Sequence, residues 1–270
     1  MEIDKEKCVG CGNCHAVCTM GVISLDEDGK SIVNQDQCVE CSVCYRFLKD
    51  ERYWPWMVRA IRRVLSVFRL GYLADVDVCP TGALTPPVLE WPRSLRAMFS
   101  DPTTIHPGTG LYGRGTEEIK SNDVTGRLRK GEAGLVVEMG RPGIGAFLWD
   151  IEKVAMALAR LKPTFEAKNP VTQLMEDTKT GKIKDEVLNE KVLSAIIEIK
   201  VKLERIPEFL QALAKVQNEV DTVISVGVAS RCLPDGSIPH EEWVRKAGYT
   251  LSLNGKTNLG LGRPLFKETE

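Results

Sequence analysis

The chain has 270 residues, nine of them cysteine, a formal net charge of −1 and 43% hydrophobic residues. That much apolar material supports one large core or two modest ones and excludes disorder as the default, and the near-neutral charge argues against a nucleic-acid binder. No uninterrupted apolar run reaches the length of a transmembrane segment, and no secretory leader pattern opens the sequence.

From the start, Cys8, Cys11, Cys14 and Cys18 read C-x2-C-x2-C-x3-C. Val22–Leu25 and Ser31–Val33 then predict two short strands joined by the polar turn Asp26–Lys30. Cys38, Cys41 and Cys44 repeat C-x2-C-x2-C, and the fourth cysteine of this second motif arrives late, as Cys79, directly before Pro80. A cubane iron–sulfur cluster needs four thiolates from different directions. Three cysteines spaced by two residues wrap one side of a cube, and the fourth comes from elsewhere. Two such triplets overshoot a tetrahedral zinc site, and an odd cysteine count in a long chain is a poor disulfide framework.

The segments Cys8-Val-Gly-Cys11-Gly-Asn-Cys14-His-Ala-Val-Cys18 and Cys79-Pro80-Thr-Gly-Ala-Leu resemble bacterial-type two-cluster [4Fe–4S] ferredoxins. The resemblance covers residues 1–48 and 74–90. It departs from the family where Thr19 follows Cys18, a place usually held by proline, and where the Cys44-to-Cys79 gap replaces three spacer residues. In that family the last cysteine of each motif ligates the other cluster. The resemblance therefore implies two [4Fe–4S] clusters, one held by Cys8, Cys11, Cys14 and Cys79, the other by Cys18, Cys38, Cys41 and Cys44. His15, inside the first loop, is expected to tune or shield its cluster rather than act as a base.

A ferredoxin domain is thus expected over residues 1–90, with a helical insertion at 45–75. Within it, Trp56 to Leu73 predicts a helix with Met57, Ile61, Val64, Phe68 and Tyr72 on one face and Arg59, Arg62, Arg63 and Arg69 largely elsewhere. Such a helix packs on the chain's own second domain, docks on a partner or lies on a membrane surface. Residues 1–44 carry eight acidic groups and three lysines, net −5, whereas residues 45–70 carry seven basic and two acidic groups, net +5. This asymmetry can orient a partner or be neutralised internally.

Residues 91–132 read as a linker rich in Pro, Gly, Thr, Asp and Asn. Gly108, Gly110 and Gly113 match G-x-G-x-x-G, but without the preceding strand and following helix that nucleotide binding needs. Residues 133–231 predict a β-α-β-β-α-β order. A strand at 135–139 and the glycine turn Gly140–Gly145 precede a helix over 146–161, with Leu148, Ile151, Ala155 and Leu158 on one face. A second strand lies near Phe165. Ser194–Glu204 alternates apolar Ile197, Ile199, Val201 and Leu203 with charged residues, and a helix from Pro207 leads to a last strand at 222–229. This order is that of a split-βαβ, ferredoxin-like sandwich covered on one side. By element order alone it looks like an ACT-type regulatory domain. Residues 232–270 read as an extended tail, and Cys232 as a lone thiol.

The fold class is therefore α+β, a two-cluster module followed by a sandwich. Three histidines, no acid–base pair and no nucleophile motif leave no candidate catalytic residue. The chain reads as a non-catalytic electron-transfer subunit of a larger oxidoreductase, its redox partner on another chain, in a reducing, anaerobic cytoplasm. The alternative is a ligand- or redox-responsive regulator with the sandwich as sensor. A small-molecule effector there has only the Gly140–Gly145 turn behind it, whose backbone N–H groups can bind an anion or simply reverse the chain.

Overall fold

The computed structural model describes residues 1–46, 55–68, 78–110, 112 and 126–252. The chain divides into two units, Met1–Ala97 and Met98–Glu270.

The first unit contains β1 (Glu2–Ile3), α1 (Asn13–Val17), β2 (Ile23–Leu25), β3 (Ser31–Val33), α2 (Val43–Arg46), α3 (Pro55–Val67) and β4 (Leu84–Thr85), and α4 (Ser94–Ser100) begins in it. The hairpin β2–β3 forms where the alternating pattern places it. Its turn is closed by the Asp26 carboxylate, whose Oδ1 accepts from Asp28 N at 3.1 Å and Lys30 N at 2.8 Å, an Asx-type local bond that makes aspartate a turn former. Gly10, in the first cysteine loop, has φ +68°, and a Cβ there would stand 2.1 Å from the carbonyl oxygen of Gly29 in this turn. Only glycine fits both the left-handed backbone and the close approach. β1 pairs antiparallel with β4, which brings the chain just after Cys79 back beside its start.

The core here is small and includes Met1, Ile23, Val33, Val78 and Leu84 together with Cys14, Cys38 and Cys44. Cysteines are thus part of the packing, as befits a module with too few apolar residues to be stable on their burial alone. The second cysteine loop is held from the far end of the unit. Arg96, buried, donates from Nη1 to the carbonyls of Gln35 (3.1 Å), Asp36 (3.0 Å) and Cys38 (2.7 Å). Arg93 donates to Glu40 Oε1 from Nε at 3.0 Å and Nη2 at 2.6 Å. The stretch expected as a linker from residue 91 thus opens with Arg93 and the helix α4, whose Arg96 joins it in anchoring the cysteine module. The inserted helix runs over Pro55–Val67, shorter than expected; Arg69, Tyr72 and Leu73 lie outside the described residues.

In the second unit, β5 (Glu132–Met139), β6 (Ala146–Phe147), α5 (Leu148–Ala159), β7 (Thr164–Phe165), α6 (Pro170–Leu174), β8 (Met175–Asp177), β9 (Lys182–Ile183), β10 (Lys191–Val192), β11 (Ala195–Lys202), α7 (Ile206–Val216), β12 (Ile224–Ser230) and α8 (Pro239–Lys246) follow in order. The main sheet runs β12-β5-β11-β7, antiparallel throughout. With α5 and α7 as crossovers, this is the adjacency that a split β-α-β arrangement produces. Leu148, Ile151, Ala155 and Leu158, the apolar face expected for α5, are all buried, as are Phe209, Leu213 and Val216 of α7.

Three differences from the sequence reading have physical causes. The charged face of β11 is closed at one end: Lys202 is exposed and Lys200 half-buried, but Glu198 is 2% exposed. Asn169 Nδ2 donates to its Oε2 at 3.3 Å, while Asn169 Oδ1 caps α6 by accepting from Val171 N and Thr172 N. A buried carboxylate in such a bond mimics a solvent-facing one in the sequence. The polar stretch 169–190 forms α6 and the ribbon β8–β9, and the 232–270 segment, expected to be extended, contains α8.

Candidate iron–sulfur centres

Eight cysteines fall into two sets around two small cavities. Cys8, Cys11, Cys14 and Cys79 line the first, with Ile3, Val9, Ser31, Val78, Thr81, Ala83 and Leu84. Cys18, Cys38, Cys41 and Cys44 line the second, with Met1, Met20, Val22, Ile23, Val33, Val39 and Ser42. The eight motif cysteines thus lie in two groups of four, and Cys232, exposed and in the other unit, joins neither. Among the described residues no His, Cys, Asp or Glu groups converge on a point suited to a single metal ion. The thiols instead stand around the rim of a space.

Local elements aim these thiols. Cys8 and Cys11 lie on the loop that leads into α1, which carries Cys14 and ends at Cys18. Cys44 is on α2, and the β1–β4 pairing returns Cys79 to the first cavity.

Hydrogen bonds reach the sulfurs. Ser31 N donates to Cys8 Sγ at 3.3 Å, and Ala83 N to Cys79 Sγ at 3.1 Å. Ser31 Oγ lies 3.4 Å from Cys14 Sγ and 3.0 Å from His15 Nε2. Thr81 Oγ1 is 3.5 Å from Cys79 Sγ, and Thr19 Oγ1 is 3.4 Å from Cys41 Sγ. The departure at Thr19 thus supplies a hydroxyl beside a sulfur of the second set, where proline has none. Such bonds favour the charged thiolate and set cluster potentials.

The electrostatics divide the two cavities. The Ser31 N–H holds the Cys8 thiol below its usual range. Burial opposes ionisation of Cys79, but the Thr81 hydroxyl and the Ala83 N–H outweigh it and lower the thiol. Burial raises Cys14, and at Cys38 burial and the Glu40 charge act together. Burial, then repulsion from Cys41, Cys18 and Cys38, pushes Cys44 up to about 12. Several buried thiols cannot ionise together without a compensating cation. An iron–sulfur core supplies one, so the donor set and its charge deficit fit this group. Ser31, Thr81 and the Ala83 N–H escaped the sequence reading, because a donor to sulfur leaves no spacing pattern.

The glycine turn of the second unit has other work. Gly140 has φ +95°, and a Cβ there would meet Leu193 O at 2.7 Å. The N–H groups of Ile144 and Gly145 both donate to Gly140 O, at 3.2 and 2.8 Å, and Gly140 N donates to Val223 O at 3.1 Å. These groups close the turn rather than face a ligand. Gly108 and Gly110 of the G-x-G-x-x-G stretch sit in a turn after buried His106.

Residues 1–24 match the 4Fe-4S binding domain family. Pyruvate synthase subunit PorD of Methanocaldococcus jannaschii is 43% identical over 42 residues, which is 16% of this chain and 49% of that protein. An uncharacterized ferredoxin of the same organism is 40% identical over 45 residues, 16% of this chain and 58% of that protein. The chain thus spans about half the length of the curated relatives it matches. No solved structure matches. The N-terminal segment thus carries the likeness to a ferredoxin-type 4Fe-4S domain. The likeness of the second unit to an ACT-type domain finds no support in these comparisons. Among the described residues, no helix is long and apolar enough to cross a membrane.

Proposed function

We propose that the chain is an electron-transfer protein with two [4Fe–4S] clusters, serving as the electron-transfer subunit of a larger oxidoreductase. Cys8, Cys11, Cys14 and Cys79 hold one cluster, and Cys18, Cys38, Cys41 and Cys44 the other. Each cluster accepts and releases one electron. The chain's own groups position the sulfurs, surround them with apolar walls and donate hydrogen bonds that favour the reduced state. The observation that carries this reading is the grouping of eight thiols around two cavities, with Cys79 beside the first triplet and Cys18 beside the second. The partial similarity to a pyruvate synthase subunit supports a role within a complex, with the catalytic partner on another chain. A reducing cytoplasm suits such clusters. The regulatory alternative draws little from the second unit, since the N–H groups of Gly140, Ile144 and Gly145 are spent on the carbonyls of Val223 and Gly140.

The test is EPR of reduced single variants. Cys79→Ala is expected to disturb the same cluster as Cys11→Ala, and Cys18→Ala the cluster disturbed by Cys41→Ala. Disturbance of the Cys41 cluster by Cys79→Ala would overturn the exchange of fourth ligands.

A further inference from the structure

Helix α3, in the stretch inserted between Cys44 and Cys79, presents an open apolar side. Trp56, Val64, Val67 and Phe68 are 60, 59, 77 and 69% exposed. At ~100° per residue, positions 56, 67, 60, 64, 57, 68, 61 and 65 follow one another round the helix, all apolar, over an arc of roughly 180°. The remaining arc takes Val58 and then positions 62, 55, 66, 59 and 63, which are arginine except for Pro55 and Ser66. Pro55–Val67 contains no Asp or Glu.

Two features of this helix discriminate among occupants. A helix that packs on protein and shows its back to water ordinarily mixes both signs of charge on that back. Here the polar side carries one sign only. The apolar side is broad, with a tryptophan near the helix start. A broad apolar arc beside one whose charges are all cationic is the pattern of a helix lying in the headgroup boundary of a bilayer. The apolar side chains sink toward the acyl region, and the long arginine stems reach up to the phosphates. The neighbouring charge agrees: residues 1–44 carry net −5 and residues 45–70 net +5, so an anionic surface repels the first stretch and attracts the insertion.

We propose that α3 docks this protein on an anionic lipid surface, with Trp56, Val64, Val67 and Phe68 in the headgroup boundary. This holds independently of the cluster assignment.

The test is flotation of the iron-loaded full chain with vesicles of phosphatidylcholine, with and without phosphatidylglycerol. Binding to the anionic vesicles is expected to be about tenfold or more tighter than to neutral ones and to weaken as salt rises. Val64→Glu with Phe68→Glu is expected to weaken it by at least ~10-fold at unchanged iron content, because both side chains already face water. Arg59→Gln with Arg63→Gln is expected to erase the preference for anionic lipid. Equal binding to both vesicle types, or variants that bind like the parent, would overturn the proposal. So would a parent that ignores vesicles while Val64→Glu lowers its melting temperature, which would make α3 an internal strut. Capture of the parent by an acidic protein surface without vesicle binding would equally overturn it.

Discussion

Ser31 touches two sulfurs of the first cavity, one through its backbone and one through its hydroxyl. Its N–H reaches Cys8, and its hydroxyl lies between Cys14 and His15. Once Cys14 is a thiolate, the hydroxyl donates to sulfur and accepts from His15 Nε2. A donor to sulfur stabilises the more negative, reduced cluster. Ser31→Ala keeps the backbone bond to Cys8 and loses only the hydroxyl. It is expected to lower the potential of that cluster by on the order of 40 mV, equivalent to about 1 kcal/mol for one electron. Ser31→Thr is expected to restore it, and protein-film voltammetry reads both. An unchanged potential in Ser31→Ala would leave the hydroxyl a packing role only. The motif cysteines were legible because cluster binding would impose their spacing. Ser31 was not, since a serine inside a short strand looks like any other polar residue.

At the scale of elements, local patterns survived and long-range ones were hidden. The β2–β3 hairpin and the apolar faces of α5 and α7 follow from periodicity and turn chemistry alone. α8 carried a readable signal that went unused: Pro239 at its start, Glu241 and Glu242 in its first turn, Arg245 and Lys246 in its last. The anchoring of the second cysteine loop by Arg93 and Arg96 had no such signal, because bonds to a carboxylate and to carbonyls more than fifty positions away obey no local rule. The same holds for β11, where Glu198 reads as solvent-facing until Asn169 is seen to bond it. Asn169→Ala removes the cap of α6 and that donor to a buried carboxylate together. The expected cost is about 2–3 kcal/mol, visible as a lower urea midpoint, with cluster absorbance unchanged. A loss below about 0.5 kcal/mol would mean the bond is made up elsewhere.

For the whole molecule, the two units draw on different sources of stability. Met1–Ala97 has a small core into which cysteines are packed, so much of its cohesion is expected to come from iron and sulfide. Met98–Glu270 closes around β5 and β11, whose apolar side chains are buried without any cofactor. Anaerobic chelation of iron is therefore expected to remove hydrogen-exchange protection from β2 and β3 while β5 and β11 keep theirs. Loss of protection in both units at once would mean that the second also depends on the clusters.

The central claim is that eight cysteines hold two four-iron clusters, and metal analysis of anaerobically purified protein tests it most directly. About eight irons and eight acid-labile sulfides per chain are expected, with the broad visible charge-transfer absorption of [4Fe–4S] centres. About four of each, or stoichiometric zinc without that absorption, would contradict it.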